Sequence, residues 1–145
     1  MSLFQTIRRE AFTLAMVMGS DDVVARQQLE AYLASSGLAV SKRYFSQISV
    51  TKRDIRSVGY MHYAEVPMGT KAPSPVKIVP VPACLVATFT IPVSEMDRLA
   101  DGAYNEPFKD YLNAQGVRME LFPLVLASIN EVDQTIQVQI PYKKQ

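Results

Sequence analysis

Among 145 residues the chain has no tryptophan, one cysteine and one histidine. A lone cysteine excludes an intrachain disulfide. Cys84 and His62, each the single residue of its type, exclude the Cys/His clusters of structural zinc sites. Cys84 stands in an apolar run, where an inert buried thiol is expected. Fifteen Lys and Arg against fourteen Asp and Glu leave a net charge of +1. No bulk attraction therefore draws the chain to nucleic acid or to an anionic membrane. No apolar run reaches the roughly 20 residues of a spanning helix. No basic segment with an apolar core opens the sequence, as a secretory signal would. These absences point to the cytoplasm. There is no glycine-rich phosphate loop and no nucleophile elbow. The stretch before Phe12 is too short for a helix-turn-helix, so the expectation is a stand-alone protein rather than a complete transcription regulator.

What is present is an ordinary globular mixture, 48% hydrophobic and 20% charged. A chain of this length is expected to be one domain and can bury about two-thirds of its unfolded surface. Lys42, Arg43, Lys52, Arg53 and Arg56 cluster, and no aromatic stripe accompanies them. They read as a solvated strand end and turn.

Phe12 to Met18 is a short apolar run ending at Gly19-Ser20, which predicts a buried strand. Ser20, Asp21 and Asp22 then offer a cap and early negative charge for a helix. In that helix Ala25, Leu29, Tyr32 and Leu33 form one stripe, and Gly37 supplies a left-handed stop. Tyr44 to Val50 and Val58 to Val66 read as strands, joined by a polar turn over Thr51 to Arg56. In the second of these, Tyr60, His62 and Ala64 share one side, and Met61, Tyr63 and Glu65 the other. Pro67 to Pro75 reads as a crossover. Pro80 and Pro82 mark an edge, and Cys84 to Ile91 is the strong strand of the second half. Ser94 to Ala100 begins a helix that Asp101-Gly102 interrupts. Asn105 is expected to cap its restart, with Pro107 in the first turn, and Gly116 ends it. Met119 to Ser128 and Thr135 to Tyr142 are the last two strands.

The pattern is strand, helix, strand, strand, written twice. Tyr32-Leu33 before Gly37 is echoed by Tyr111-Leu112 before Gly116 at the same spacing. The fold expected is α+β: a duplicated β-α-β-β unit, with repeats of about 1–67 and 76–145. The strands would form one antiparallel sheet, with two helices on one face and a concave ligand crevice on the other.

Several stretches resemble the GyrI-like small-molecule-binding family. This family includes effector-binding domains of multidrug-sensing MerR- and AraC-type regulators and stand-alone gyrase inhibitors. Ile78-Val79-Pro80-Val81-Pro82-Ala83, followed by Leu85-Val86-Ala87, is similar to the family's lead-in to an apolar strand. Tyr111-Leu112 with Gly116 resembles its helix end. Glu120-Leu121-Phe122 resembles its Glu-x-Tyr, and Ile140-Pro141 a common ending. The resemblance implies that Glu120 points into a central cavity and attracts cationic or polar ligands. A carboxylate in an apolar cavity needs a cation, a donor or a proton beside it, which fits that role. Two departures stand out. Phe122 replaces the family's tyrosine, removing a phenolic hydroxyl, and tryptophan is absent.

Ligand contacts are therefore expected from Glu120, Phe122, Tyr44, Tyr60, Tyr63 and Tyr104. Repeat alignment places Arg43 and Phe45 opposite Glu120 and Phe122, where an Arg43–Glu120 pair would neutralise the pocket. Met16, Met18 and Met61 suit an adaptable cavity or an ordinary core. His62 could serve as a haem ligand, since the haem-binding SOUL proteins share this general fold. A lone histidine on an aromatic strand more often packs, so no cofactor and no metal are expected. The first functional reading is binding of a small amphipathic, cationic organic molecule. One alternative is a hydrolase of strained or electrophilic molecules using Glu120, with a tyrosine hydroxyl in reach. Another is a gyrase-inhibitor-like module whose partner is a protein.

Overall fold

A computed structural model describes residues 3–38, 40, 42–116, 119–121 and 124–144, with backbone alone at 48–51, 56, 100, 119–121, 143 and 144. In chain order the elements are β1 (Gln5–Arg9), β2 (Phe12–Gly19), α1 (Asp22–Ser36), β3 (Arg43–Lys52), β4 (Ile55–Val66) and β5 (Lys77–Val81), then β6 (Cys84–Pro92), α2 (Met96–Ala100), α3 (Asn105–Ala114), β7 (Met119–Leu121), β8 (Leu126–Asn130) and β9 (Thr135–Lys144). Every described strand pairing is antiparallel, so the fold is α+β. The chain divides into two compact units, Glu10–Ala83 and Met1–Arg9 with Cys84–Gln145.

In the first unit the strands run in the order β3-β4-β2-β5. Helix α1 starts where the Asp21 carboxylate accepts from the Val24 backbone N–H at 3.0 Å, satisfying one of the helix's orphan donors. It stops at Gly37, whose φ of 68° is the left-handed value that glycine adopts without a Cβ penalty. Ala25, Leu29 and Leu33 pack on Ala15, Val17, Ala64 and Val66 of the sheet, with Val76 beside them. Burying each leucine contributes about 2 kcal/mol. That outweighs the few tenths lost to β-branched Val23 and Val24 in the first turn.

The polar turn expected over Thr51 to Arg56 is tighter than its composition suggests. Lys52 pairs with Ile55, and only Arg53 and Asp54 turn, at φ 52° and 65°. Polar residues serve a solvent-facing ladder as well as a loop, so composition could not separate the two.

In the second unit the order is β1-β6-β9-β8, with β7 also on β9. The single strand expected over Met119 to Ser128 is two. β7 pairs with Tyr142–Lys144 and β8 with Thr135–Gln139. Pro123, between them in the sequence, cannot donate a ladder hydrogen bond. A 3₁₀ turn at Val93–Glu95 leads into α2, and Gly102 at φ 84° separates α2 from α3. Asn105 is the first residue of α3 and not its cap. The cap position is Tyr104, without a side-chain hydrogen bond. Helix α3 is held instead by burial of Phe108 and Leu112 and by an aromatic cluster. Phe4 lies 4.9 Å from Phe89, 5.7 Å from Phe108 and 5.3 Å from Tyr111, centroid to centroid.

The edge strands are exchanged. β1 immediately precedes β2 in sequence yet pairs with β6, and β5 immediately precedes β6 yet pairs with β2. The Tyr-Leu…Gly echo has the same setting in each unit. Leu33 and Leu112 are buried, and Gly37 and Gly116 are both left-handed. The Tyr32 hydroxyl donates to the Lys71 carbonyl at 3.1 Å, while that of Tyr111 bonds the Thr6 hydroxyl at 2.8 Å.

Candidate functional site

Strand alternation sorts β4 into two faces. Ala64 and Val66 turn toward α1, so Met61, Tyr63 and Glu65 turn away from it. Register brings neighbours onto that second face. Met16 and Tyr44 flank Tyr63, Met18 and Ser46 flank Met61, and Leu14 lies beside Glu65. The result, on the face turned away from α1, is one patch of two tyrosines, three methionines, a serine and a carboxylate.

Its polar groups are connected. The Tyr44 hydroxyl donates to Glu65 Oε1 at 2.7 Å. Tyr44 sits opposite Tyr63 and therefore diagonal to Glu65, a separation that a long side chain spans. The Tyr63 hydroxyl lies 3.4 Å from Ser46 Oγ and 3.4 Å from Met61 Sδ. Tyr44 and Tyr63 are only 4% and 1% exposed, whereas Glu65, Ser46 and Met16 are half-buried and Met18 is exposed. Burial pushes the Tyr63 phenol above its ordinary value, and the Ser46 hydrogen bond offsets part of that. Tyr63 therefore stays a neutral hydroxyl at physiological pH.

The sequence-predicted residues are dispersed around this patch. Tyr44 and Tyr63 meet on it. Tyr60 occupies the opposite face of the same strand, level with Gln47 and Gly19. Tyr104 belongs to the second unit, with its ring 5.2 Å from Phe89. The Glu120 backbone lies in β7 opposite Lys143, while its side chain, and Phe122 altogether, fall outside the described residues. Arg43 is engaged by Glu30 of α1, at 2.5 Å and 3.2 Å. His62 Nε2 lies 2.6 Å from Asp22 Oδ1, at the start of α1. The carboxylate can only accept, so that nitrogen carries the proton. Among the described residues no three His, Cys, Asp or Glu side chains converge as a metal site would require.

Glu65 was not singled out by sequence reasoning. The signal existed in the alternation that put it on the side of Met61 and Tyr63. A glutamate at the end of an aromatic strand does not by itself announce a hydroxyl partner 21 residues upstream. The second unit also carries a polar depression of about 590 Å³ lined by Thr90, Ser128, Gln137, Asn130, Glu131 and Asp133, among others. No sequence motif marked it.

No protein-family model and no curated protein sequence matches the chain. Solved structures do. The C-terminal domain of EcmrR superposes with a TM-score of 0.62 at 13% identity, covering 98% of this chain and 98% of that one. The chain has that domain's fold. The EcmrR chain in a complex with DNA gives a TM-score of 0.60 at 13% identity, covering 99% of this chain and 59% of that one. A protein from Listeria innocua described as a hydrolase gives 0.59 at 13% identity, covering 98% of this chain and 92% of that one. Similarity at this identity carries the fold and no residue roles. The motif resemblance to the GyrI-like family and the superposition on the EcmrR domain thus agree on architecture. No helix among the described residues is long and apolar enough to cross a membrane.

Proposed function

We propose that the protein binds a small amphipathic organic molecule, by preference a cation with an aromatic body, on the face of β2, β3 and β4 turned away from α1. The observation that carries this reading is the 2.7 Å Tyr44–Glu65 hydrogen bond beside the buried Tyr63. A half-buried carboxylate oriented by a phenol attracts a cation, and the unbranched thioethers of Met16 and Met18 beside it adapt to the ligand's outline. The fold of the EcmrR C-terminal domain supports the reading at the level of architecture. The GyrI-like resemblance adds Glu120 and Phe122 as proposed contacts, with Tyr104 third. The tyrosines that this reading retains from β3 and β4 are Tyr44 and Tyr63.

The test is a thermal-shift titration with benzyltrimethylammonium and bulkier aromatic quaternary ammonium ions. At a hundredfold excess over Kd the bound form gains about 2.7 kcal/mol. Glu65→Gln is expected to abolish the shift and Tyr44→Phe to reduce it. Shifts of equal size in wild type and Glu65→Gln would overturn the assignment of this face.

The same hydrogen bond favours a second reading, hydrolysis of a strained electrophile. The carboxylate would take a proton from water as the water oxygen attacks, with a tyrosine donating to the leaving atom. The hydrolase among the structural neighbours makes it worth testing. Turnover of a strained-ring ester that disappears in Glu65→Gln would establish it.

A further inference from the structure

We propose that the second unit carries a binding site of its own, for a small polyhydroxylated amine of amino-sugar size, on the face of β6, β9 and β8 turned away from α3. Phe89 turns its ring to Tyr104 at the start of α3. Alternation therefore sends Thr88 and Thr90 to the other face. Register adds neighbours there. Thr90, Gln137 and Ser128 stand in one row across the three strands, and Thr135 and Asn130 in the next. With Glu131 and Asp133 of the β8–β9 turn, these two rows line the depression of about 590 Å³. That volume is usual for a small-molecule site, roughly 300–1,000 Å³.

The floor differs from an ordinary solvated sheet face in its concavity and its chemistry. Its two rows carry hydroxyls and amides and no charged side chain, in a chain that is 20% charged. Their hydrogen-bonding capacity is also unused. Ser128 and Thr135 are half-buried, yet their side chains, like those of Thr90 and Gln137, have no hydrogen-bond partner among the described residues. Gln139, one row further along β9, is by contrast engaged, accepting from Arg9 at 3.1 Å. The corresponding face of the first unit has Met16, Met18, Met61 and Tyr63 on the matching strands β2 and β4. The doubled fold thus presents the same surface once in apolar form and once in polar form.

The ligand class follows from the groups available. Hydroxyl and amide side chains both donate and accept, as the hydroxyls of a polyol do. The carboxylates of Glu131 and Asp133 only accept, and they stand together at the turn. Asp133 is oriented by the Asn130 amide, which donates to Oδ2 at 3.1 Å. No Lys, Arg or His lines the depression, so an acid or a phosphate finds no counter-charge. No aromatic ring lines it either, and Ile129 is its one apolar side chain. An aromatic cation therefore has little to bury against. An ammonium at the carboxylate end, with hydroxyls along the two rows, uses every group. Its charge-assisted hydrogen bonds supply the stronger share.

The probe is glucosamine, titrated into the ¹⁵N-labelled full chain at constant ionic strength. Saturable shifts are expected at residues 128–137 and at the side-chain amides of Asn130 and Gln137. Glucose, without the ammonium, and cyclohexylammonium, without the hydroxyls, should each bind at least tenfold more weakly. Glu131→Gln with Asp133→Asn, on an exposed turn, should reduce glucosamine binding to the level of glucose. Gln137→Ala should weaken both sugars. The comparison of ligands uses the unaltered chain, so it decides the proposal however well the variants fold. Equal binding of cyclohexylammonium would overturn it, leaving only a charged turn, as would equal binding of gluconate. Undiminished binding by the double variant, shifts confined to β2, β3 and β4, or no shift at tens of millimolar glucosamine would overturn it too. The Glu65→Gln titration concerns the first unit, so the two sites succeed or fail separately.

Discussion

Tyr63 shows how a single buried group connects packing to pH. Its phenol is raised above the ordinary value, first by desolvation and then partly lowered by Ser46. Above about pH 10 the unfolded chain has released this proton while the folded chain still holds it. The folded state then binds more protons, so stability falls as pH rises through that window. Below it the two states carry the same proton and the contribution is flat. The urea midpoint is expected to drop between about pH 9 and about pH 11, and to drop less in Tyr63→Phe. An identical slope in both proteins would show that this phenol does not titrate late. Cys84 behaves alike for the same reason. Burial pushes its thiol up, with Arg9 tempering the effect, so at neutral pH it remains the inert buried thiol that its apolar neighbours suggested.

Between elements, the contrast of α1 with α3 separates capping from packing. Helix α1 is closed at both ends by local chemistry, Asp21 in front and Gly37 behind. Helix α3 has no side-chain cap and depends on Phe108 and Leu112. Asp21→Ala is expected to cost about 1 kcal/mol. Gly37→Ala should cost about 1 kcal/mol as well, and purely through the backbone, because a Cβ there meets no atom within 4 Å. Asn105→Ala should change stability by less than about 0.5 kcal/mol, since Asn105 is a helical residue and not a cap. Denaturant titration of the three variants checks the ranking. A loss at Asn105 equal to that at Asp21 would contradict it.

For the whole molecule, exchange of the edge strands makes the first residues of the chain matter to its far half. Residues Met1–Arg9 belong to the same unit as Cys84–Gln145. There β1 covers the edge of β6 while Phe4 fills the aromatic cluster on α3. Removing residues 1–9 is therefore expected to speed hydrogen exchange in β6, β9 and α3 well before it does so in β2 and β4. Phe4→Ala alone should cost about 3–5 kcal/mol, the usual range for a buried phenylalanine. Hydrogen exchange read by mass spectrometry decides this. Uniform acceleration, or acceleration confined to residues 12–66, would oppose it. The shared strand order of the units, β3-β4-β2-β5 and β8-β9-β6-β1, fits the doubled pattern seen in the sequence.

By itself the sequence determined what depends on near neighbours. The period of apolar residues set helix against strand, glycines and prolines set the stops, and alternation along β4 already separated Tyr60 from Tyr63. Those are properties of residues a few positions apart, where steric and capping effects act without the rest of the chain. Register lies beyond that range. Only the tertiary structure decided that Tyr44 faces Tyr63 and reaches Glu65, that Arg43 goes to Glu30, and that β1 joins β6 rather than the strand it leads into. A carboxylate becomes a candidate ligand group through what stands across the ladder from it. That partner is chosen by the summed burial of two whole strands, which no local pattern encodes.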